Sequence, residues 1–201
     1  MANQVIGKRC AEMAAMTVFA GALLAMGFTA HAQQTGLQNA GIDAGQMVKA
    51  NGGDAAAQVA VGESYQAGKG VPKDLQQAAA WYQKAADKKD IAGELHLAAL
   101  YRDGGKGFAR DMAQAAEWYR RAADQGEVEA QATMGTLYSM GQGVQVNYVE
   151  AYYWLDLAAA VKGPKQEMYA AHRQMMGEHI TVDELDSAQE RAAAWKAAHP
   201  R

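Results

Sequence analysis

The chain is poor in the residues that carry covalent chemistry. Its single cysteine, Cys10, stands ahead of an apolar run near the N-terminus. That segment is expected to be removed, which leaves neither a thiol nucleophile nor a disulfide. No G-x-S-x-G nucleophile motif occurs. The "GKG" of Gly68 to Gly70 lacks the GxxxxGK[ST] pattern, and no strand precedes it, so a phosphate loop is excluded. Lysine and arginine nowhere cluster, and the formal charge is −3. Neutralising a phosphate backbone needs a basic patch, so no nucleic-acid partner is expected. His96, His172, His179 and His199 lack a further ligand at metal spacing. Met168, Met175 and Met176 read as packing residues rather than a soft-metal set. No cofactor and no metal are expected.

Half of the 201 residues are apolar. Much of that half is alanine, which buries little area and suits closely packed helices better than a thick globular core. The first residues read as an address. Lys8 and Arg9 precede the unbroken apolar run Met13 to Ala30, and Ala30-His31-Ala32 supplies an A-x-A site. This is the pattern of a cleavable secretory signal peptide over residues 1–32, with a bacterial periplasm as the expected destination and no membrane attachment after cleavage.

The remainder repeats itself. "YQAGKGVPKDLQQAAAWY" begins at Tyr65, "YRDGGKGFARDMAQAAEWY" at Tyr101, and "YSMGQGVQVNYVEAYYW" at Tyr138. Tyr65, Tyr101 and Tyr138 correspond, as do Trp81, Trp118 and Trp154, and Gly70, Gly107 and Gly143. The middle copy carries one extra loop residue among Gly104, Gly105 and Gly107. Each copy reads as helix A, a glycine loop and helix B. Gly68 ends the first helix A, where a positive φ is needed. Asp74, Asp111 and Asn147 are each followed three residues later by Gln or Glu, a helix-start signature that satisfies free amide donors. Ala78, Trp81, Tyr82 and Ala85, with their counterparts, give helix B its apolar stripe. A single hairpin cannot bury that stripe, but stacked neighbours can. The expected fold is therefore all-α, an α-solenoid of helical hairpins.

Helix A ending in A-x-x-x-L-G-x-x-Y, then G-x-G-V, then D-x-x-x-A-x-x-W-Y-x-x-A-A, resembles the Sel-one-like repeat family, which is tetratricopeptide-like in architecture. The resemblance runs over 54–160 in three copies, at about 54–90, 91–127 and 128–163. Gly93, Ala98, Phe108 and Asn147 depart from its pattern. Residues 33–53 are expected to be mobile to Ile42 and then to form a partial cap helix. Residues 164–201 are expected to form two capping helices, near Lys165–Gly177 and Val182–Ala198. In the second, Thr181 and Glu184 make a capping box, and Val182, Leu185, Ala192 and Trp195 share the buried face.

The resemblance implies a non-enzymatic scaffold that binds a protein or peptide, regulating an envelope receptor or neutralising a toxin. An accessory protein or enzyme of cell-wall or polysaccharide metabolism is the alternative. The cysteine-rich branch of the family pairs cysteines across helices A and B, and this chain has none to pair. In a helical solenoid the A helices line the concave side. The expected partner-binding groove has Val59, Leu95 and Ala132 as an apolar floor. Glu63, Arg102 and Asp103 are its charged contacts, and Gln66, Ala99, Thr136 and Ser139 complete the rows.

Overall fold

The computed structural model describes residues 41–200. The expected signal peptide and the stretch 33–40 lie outside the described residues. Among those described there are nine α-helices and no strand. They are α1 (Ala44–Asn51), α2 (Ala55–Ala67), α3 (Leu75–Ala86), α4 (Ile91–Asp103), α5 (Met112–Asp124), α6 (Val128–Met140), α7 (Tyr148–Ala159), α8 (Gln166–Gly177) and α9 (Val182–Ala198). The pairs α2–α3, α4–α5 and α6–α7 are the A–B hairpins, and α3 packs on α4 as α5 packs on α6. The stack is therefore continuous from α1 to α8.

The same local bonds build each copy. Asp74 and Asp111 cap α3 and α5 by accepting two backbone amides each, and Asn147 caps α7 by accepting one. The backbone N–H of each cap residue donates to the carbonyl of the tyrosine that begins the loop: Asp74 to Tyr65 at 3.0 Å, Asp111 to Tyr101 at 2.8 Å, Asn147 to Tyr138 at 3.0 Å. The loop is closed at its base whatever its length. In the middle copy the extra residue is absorbed by Gly105 and Phe108, which exchange backbone hydrogen bonds at 2.9 and 3.0 Å. Helix A has caps of its own, Asp54, Asp90 and Glu127, which the helix-start pattern of helix B does not reveal.

Small residues set the spacing inside a hairpin. A Cβ on Gly62 would meet the Tyr82 ring at 2.5 Å, and one on Gly135 would meet Leu155 at 2.6 Å. At the ends of α2 and α6, Gly68 and Gly141 adopt left-handed backbone, φ 73 and 67, a region that costs other residues strain.

Three expectations need correction. Ile42, placed in a mobile stretch, is buried in the core. Val182, placed on the buried face of the last helix, is 72% exposed. That face consists of Leu185, Ala188, Ala192 and Trp195. Val182 opens the helix one residue after the Thr181 cap, beyond the reach of that face; the box itself is present. Met168 and Met175 are also open rather than packed, at 47% and 54% exposure.

Helix α9 does not fold back on α8, its neighbour in sequence. It lies on α7. There Lys196 bonds Asp156 at 2.8 Å, Arg191 bonds Glu150 at 2.8 Å, and Gln189 donates to the Tyr152 hydroxyl at 3.0 Å. From α8, Arg173 reaches the other oxygen of Asp156 at 2.7 Å. With α6, α8 and α9 around it, α7 is buried on every side from Ala151 to Ala159.

Candidate interaction surface

The polar side chains of α2 and α4 form two clusters in a row along the A helices, each tied to a tyrosine of a B helix. His96 stacks on Tyr82 with ring centroids 4.8 Å apart and an interplanar angle of 12°. Its Nε2 lies 3.2 Å from Glu63. The Tyr82 hydroxyl donates to Gln66 Oε1 at 2.5 Å. One repeat on, Arg102 donates to the Tyr119 hydroxyl at 2.9 Å and to both oxygens of Asp103 at 2.7 and 2.9 Å. Position for position, Gln66 and Arg102 do the same work: each bonds the tyrosine of its own helix B. In the third copy Leu155 stands where Tyr82 and Tyr119 stand, and Ser139 turns its hydroxyl to its own helix, at the Thr136 carbonyl.

Electrostatics follow from this geometry. Burial raises the Tyr82 hydroxyl pKa well above its ordinary value, with the Glu63 charge adding to the effect. Burial likewise raises that of Tyr119. Both hydroxyls therefore keep their protons at neutral pH and remain hydrogen-bond donors. The hydrogen bond from Arg102 holds the Asp103 carboxyl below the usual range.

The sequence-derived groove residues divide into three groups. Glu63, Arg102 and Asp103 are exposed. Gln66, Leu95, Ala99, Thr136 and Ser139 are half-buried. Val59 and Ala132 are buried and do not form an open floor. Neighbouring A helices touch, α2 against α4, and Ala132 is covered by Tyr169 of α8. An apolar residue on that side of helix A is thus consumed between repeats. Leu95 also packs against the core, so it is an anchor of the stack rather than a free contact. His96, Tyr82 and Tyr119 belong to the row although spacing did not place them there. The signal was present in His96, which replaces Ala60 and Thr133 of the sibling copies.

Stacked, capped hairpins with polar side chains arrayed along one set of helices define a helical repeat scaffold. The chain belongs to the Sel1 repeat family: that family's model matches residues 55–90, 91–127 and 128–160. Members are generally protein–protein interaction scaffolds. Among solved structures, the Sel1 repeat protein from Oxalobacter formigenes is 30% identical with a TM-score of 0.54, over 61% of this chain and 92% of that one. A protective antigen present in uropathogenic Escherichia coli strains, with an SLR fold, is 25% identical with a TM-score of 0.47, over 76% of this chain and 40% of that one. No curated protein matches the chain. Among the described residues no helix is long and apolar enough to cross a membrane.

Proposed function

We propose that the protein is an exported scaffold that binds another protein along the row from Glu63 to Ser139 on the A helices. The observation that supports this is the row itself. Gln66 and Arg102 are held by the tyrosines of helix B, Glu63 pairs with His96 and Asp103 with Arg102, yet Glu63, Arg102 and Asp103 remain open. Pre-organised polar side chains bind without a large ordering cost. Export rests on the basic pair, apolar run and A-x-A site of the first residues. It predicts that the periplasmic form begins at Gln33, as N-terminal sequencing reads directly.

The binding reading is tested with a photo-crosslinking residue at Ala99, beside the row, and another at Glu117, on the exposed side of α5. Crosslinks should form from Ala99, fall sharply with Glu63→Lys, and be absent from Glu117. Glu63→Lys breaks only an exposed pair, so the thermal midpoint should hold. Partners that crosslink from Glu117 alone, or equally in Glu63→Lys, would overturn the assignment. Within this reading, receptor regulation and toxin neutralisation are both binding roles, and the identity of the crosslinked protein separates them.

A further inference from the structure

Each helix A buries one polar side chain at the same position: Gln58, Glu94 and Gln131 are 4%, 2% and 0% exposed. The two glutamines do the same job. Gln58 Nε2 donates to the Ala50 carbonyl at 3.0 Å and Gln131 Nε2 to the Ala123 carbonyl at 3.1 Å. Each thereby ties its helix to the last turn of the preceding one. In the middle copy the corresponding carbonyl belongs to Ala86, and an ionised Glu94 has no N–H to offer it. Instead Glu94 Oε2 accepts from Gln125 Nε2 at 2.7 Å. Oε1 has no hydrogen-bond partner among the described residues.

A cavity of about 440 Å³ opens over this carboxylate, bordered by Asp87, Lys89, Arg121, Asp124 and Gln125. Its size is that of a small-ligand pocket. Three carboxylates face two cations there. Arg121 is already engaged, 3.2 Å from Glu117 and with its guanidinium 4.3 Å from the centre of the Trp118 ring, and it forms no salt bridge with Glu94. A buried charge without a cation of its own is costly. Two sibling repeats show that glutamine serves the fold at this position. The glutamate therefore sets aside a structural bond and leaves an acceptor oxygen facing a cavity.

We propose that Glu94 forms the floor of a pocket for a cationic side chain, lysine or arginine, of a protein partner, at the edge where the first two repeats meet. The inference rests on the scaffold reading but uses a different surface from the row of Glu63 and Arg102. The cation would fill the free acceptor position at Oε1, with Asp87 and Asp124 at the mouth to favour its approach. Burial raises the Glu94 pKa, chiefly through desolvation, and an arriving cation would reverse that effect.

The test uses the full chain and three probes: N-acetyl-arginine amide, N-acetyl-lysine amide and the neutral N-acetyl-citrulline amide. Amide chemical shifts are followed by NMR. The charged probes should move Ala86 to Glu94 and Asp124 to Gln125 saturably, and citrulline should not. Glu94→Gln should weaken binding by about tenfold or more while keeping or raising the thermal midpoint, since it restores the sibling residue. Equal response to citrulline, unchanged affinity in Glu94→Gln, or no localised shifts would make Glu94 a structural acid only. A partner that crosslinks along the A-helix row while these probes leave the cavity unmoved would sink this inference and spare the scaffold reading. Probe binding without crosslinks would do the reverse.

Discussion

Helices α5 and α7 occupy the same place in successive repeats and have opposite surroundings. Both start at an Asp or Asn cap, and both bury a tryptophan, Trp118 and Trp154. On α5 the outward positions carry Glu117 and Arg121, paired at 3.2 Å and exposed. On α7 the same positions carry Tyr153 and Leu157, both buried. In α5 the guanidinium of Arg121 covers the Trp118 ring from the solvent side. In α7 that side is closed by α9, with Arg191 over the Tyr153 ring at 4.5 Å and Trp195 packed on the core. A repeat motif thus specifies how hairpins stack on one another. It leaves the outer side of helix B free to be either a solvated surface or a docking place for the chain's own end.

Exchanging residues between the two helices gives the largest effect. Leu157→Arg forces a charge into the α7–α9 contact and should destabilise by about 4 kcal/mol. The reverse change, Arg121→Leu, removes an exposed pair and a cation–π contact, costing about 0.5 kcal/mol. Urea midpoints of the two variants read the difference, and similar values would mean that α9 does not cover α7 in solution. Next comes Asp156, whose side chain is 11% exposed and meets Arg173 and Lys196, themselves 35% and 40% exposed. Asp156→Ala strands both cations, but solvent can reach them, so the loss should be about 2 kcal/mol. It should also loosen α8 and α9 together, as faster amide exchange in both helices.

The last comparison separates the middle repeat from its siblings by pH. The folded-state pKa of Glu94 is raised, so folding favours its protonated form. Its contribution is fully present below the unfolded value of about 4.3 and is lost as pH rises through the folded value. Glu94→Gln should therefore match the wild type in acid and exceed it by about 1 kcal/mol at neutral pH. Denaturant midpoints at the two pH values measure the gap. A constant gap would mean that Glu94 does not titrate upward.

The hairpins were legible because their landmarks serve local purposes. Asp111 accepts amides of its own helix, and Gly141 ends its own helix, so each works the same way in any context. The start of the last helix was legible for the same reason, through the Thr181–Glu184 box. What spacing missed was partnership between elements. Val59 and Ala132 lie on a helix side that looks free in one hairpin and is closed only when a neighbouring helix arrives. The destination of α9 also breaks the expectation that consecutive elements pack together. Its trace was in α7, where Leu157 replaces Lys84 and Arg121 of the sibling copies and Tyr153 replaces Glu117, so that the outer side of the helix turns apolar and calls for burial.

The bridge between Gly105 and Phe108 turns Lys106-Gly107 into a two-residue hairpin tip inside an otherwise helical chain. Nothing lies within 4 Å of where a Gly107 side chain would begin, and the Asp111–Tyr101 bond seals the loop beneath it. The tip is consequently a writable position. A short epitope or a dye-bearing segment spliced between Lys106 and Gly107 would have its two ends held together by the protein, with the exposed bond from Gln76 Nε2 to the Gly107 carbonyl, 3.1 Å, as the contact with the stack that it could disturb. Nature's own extra residue in the middle repeat has already made that experiment once.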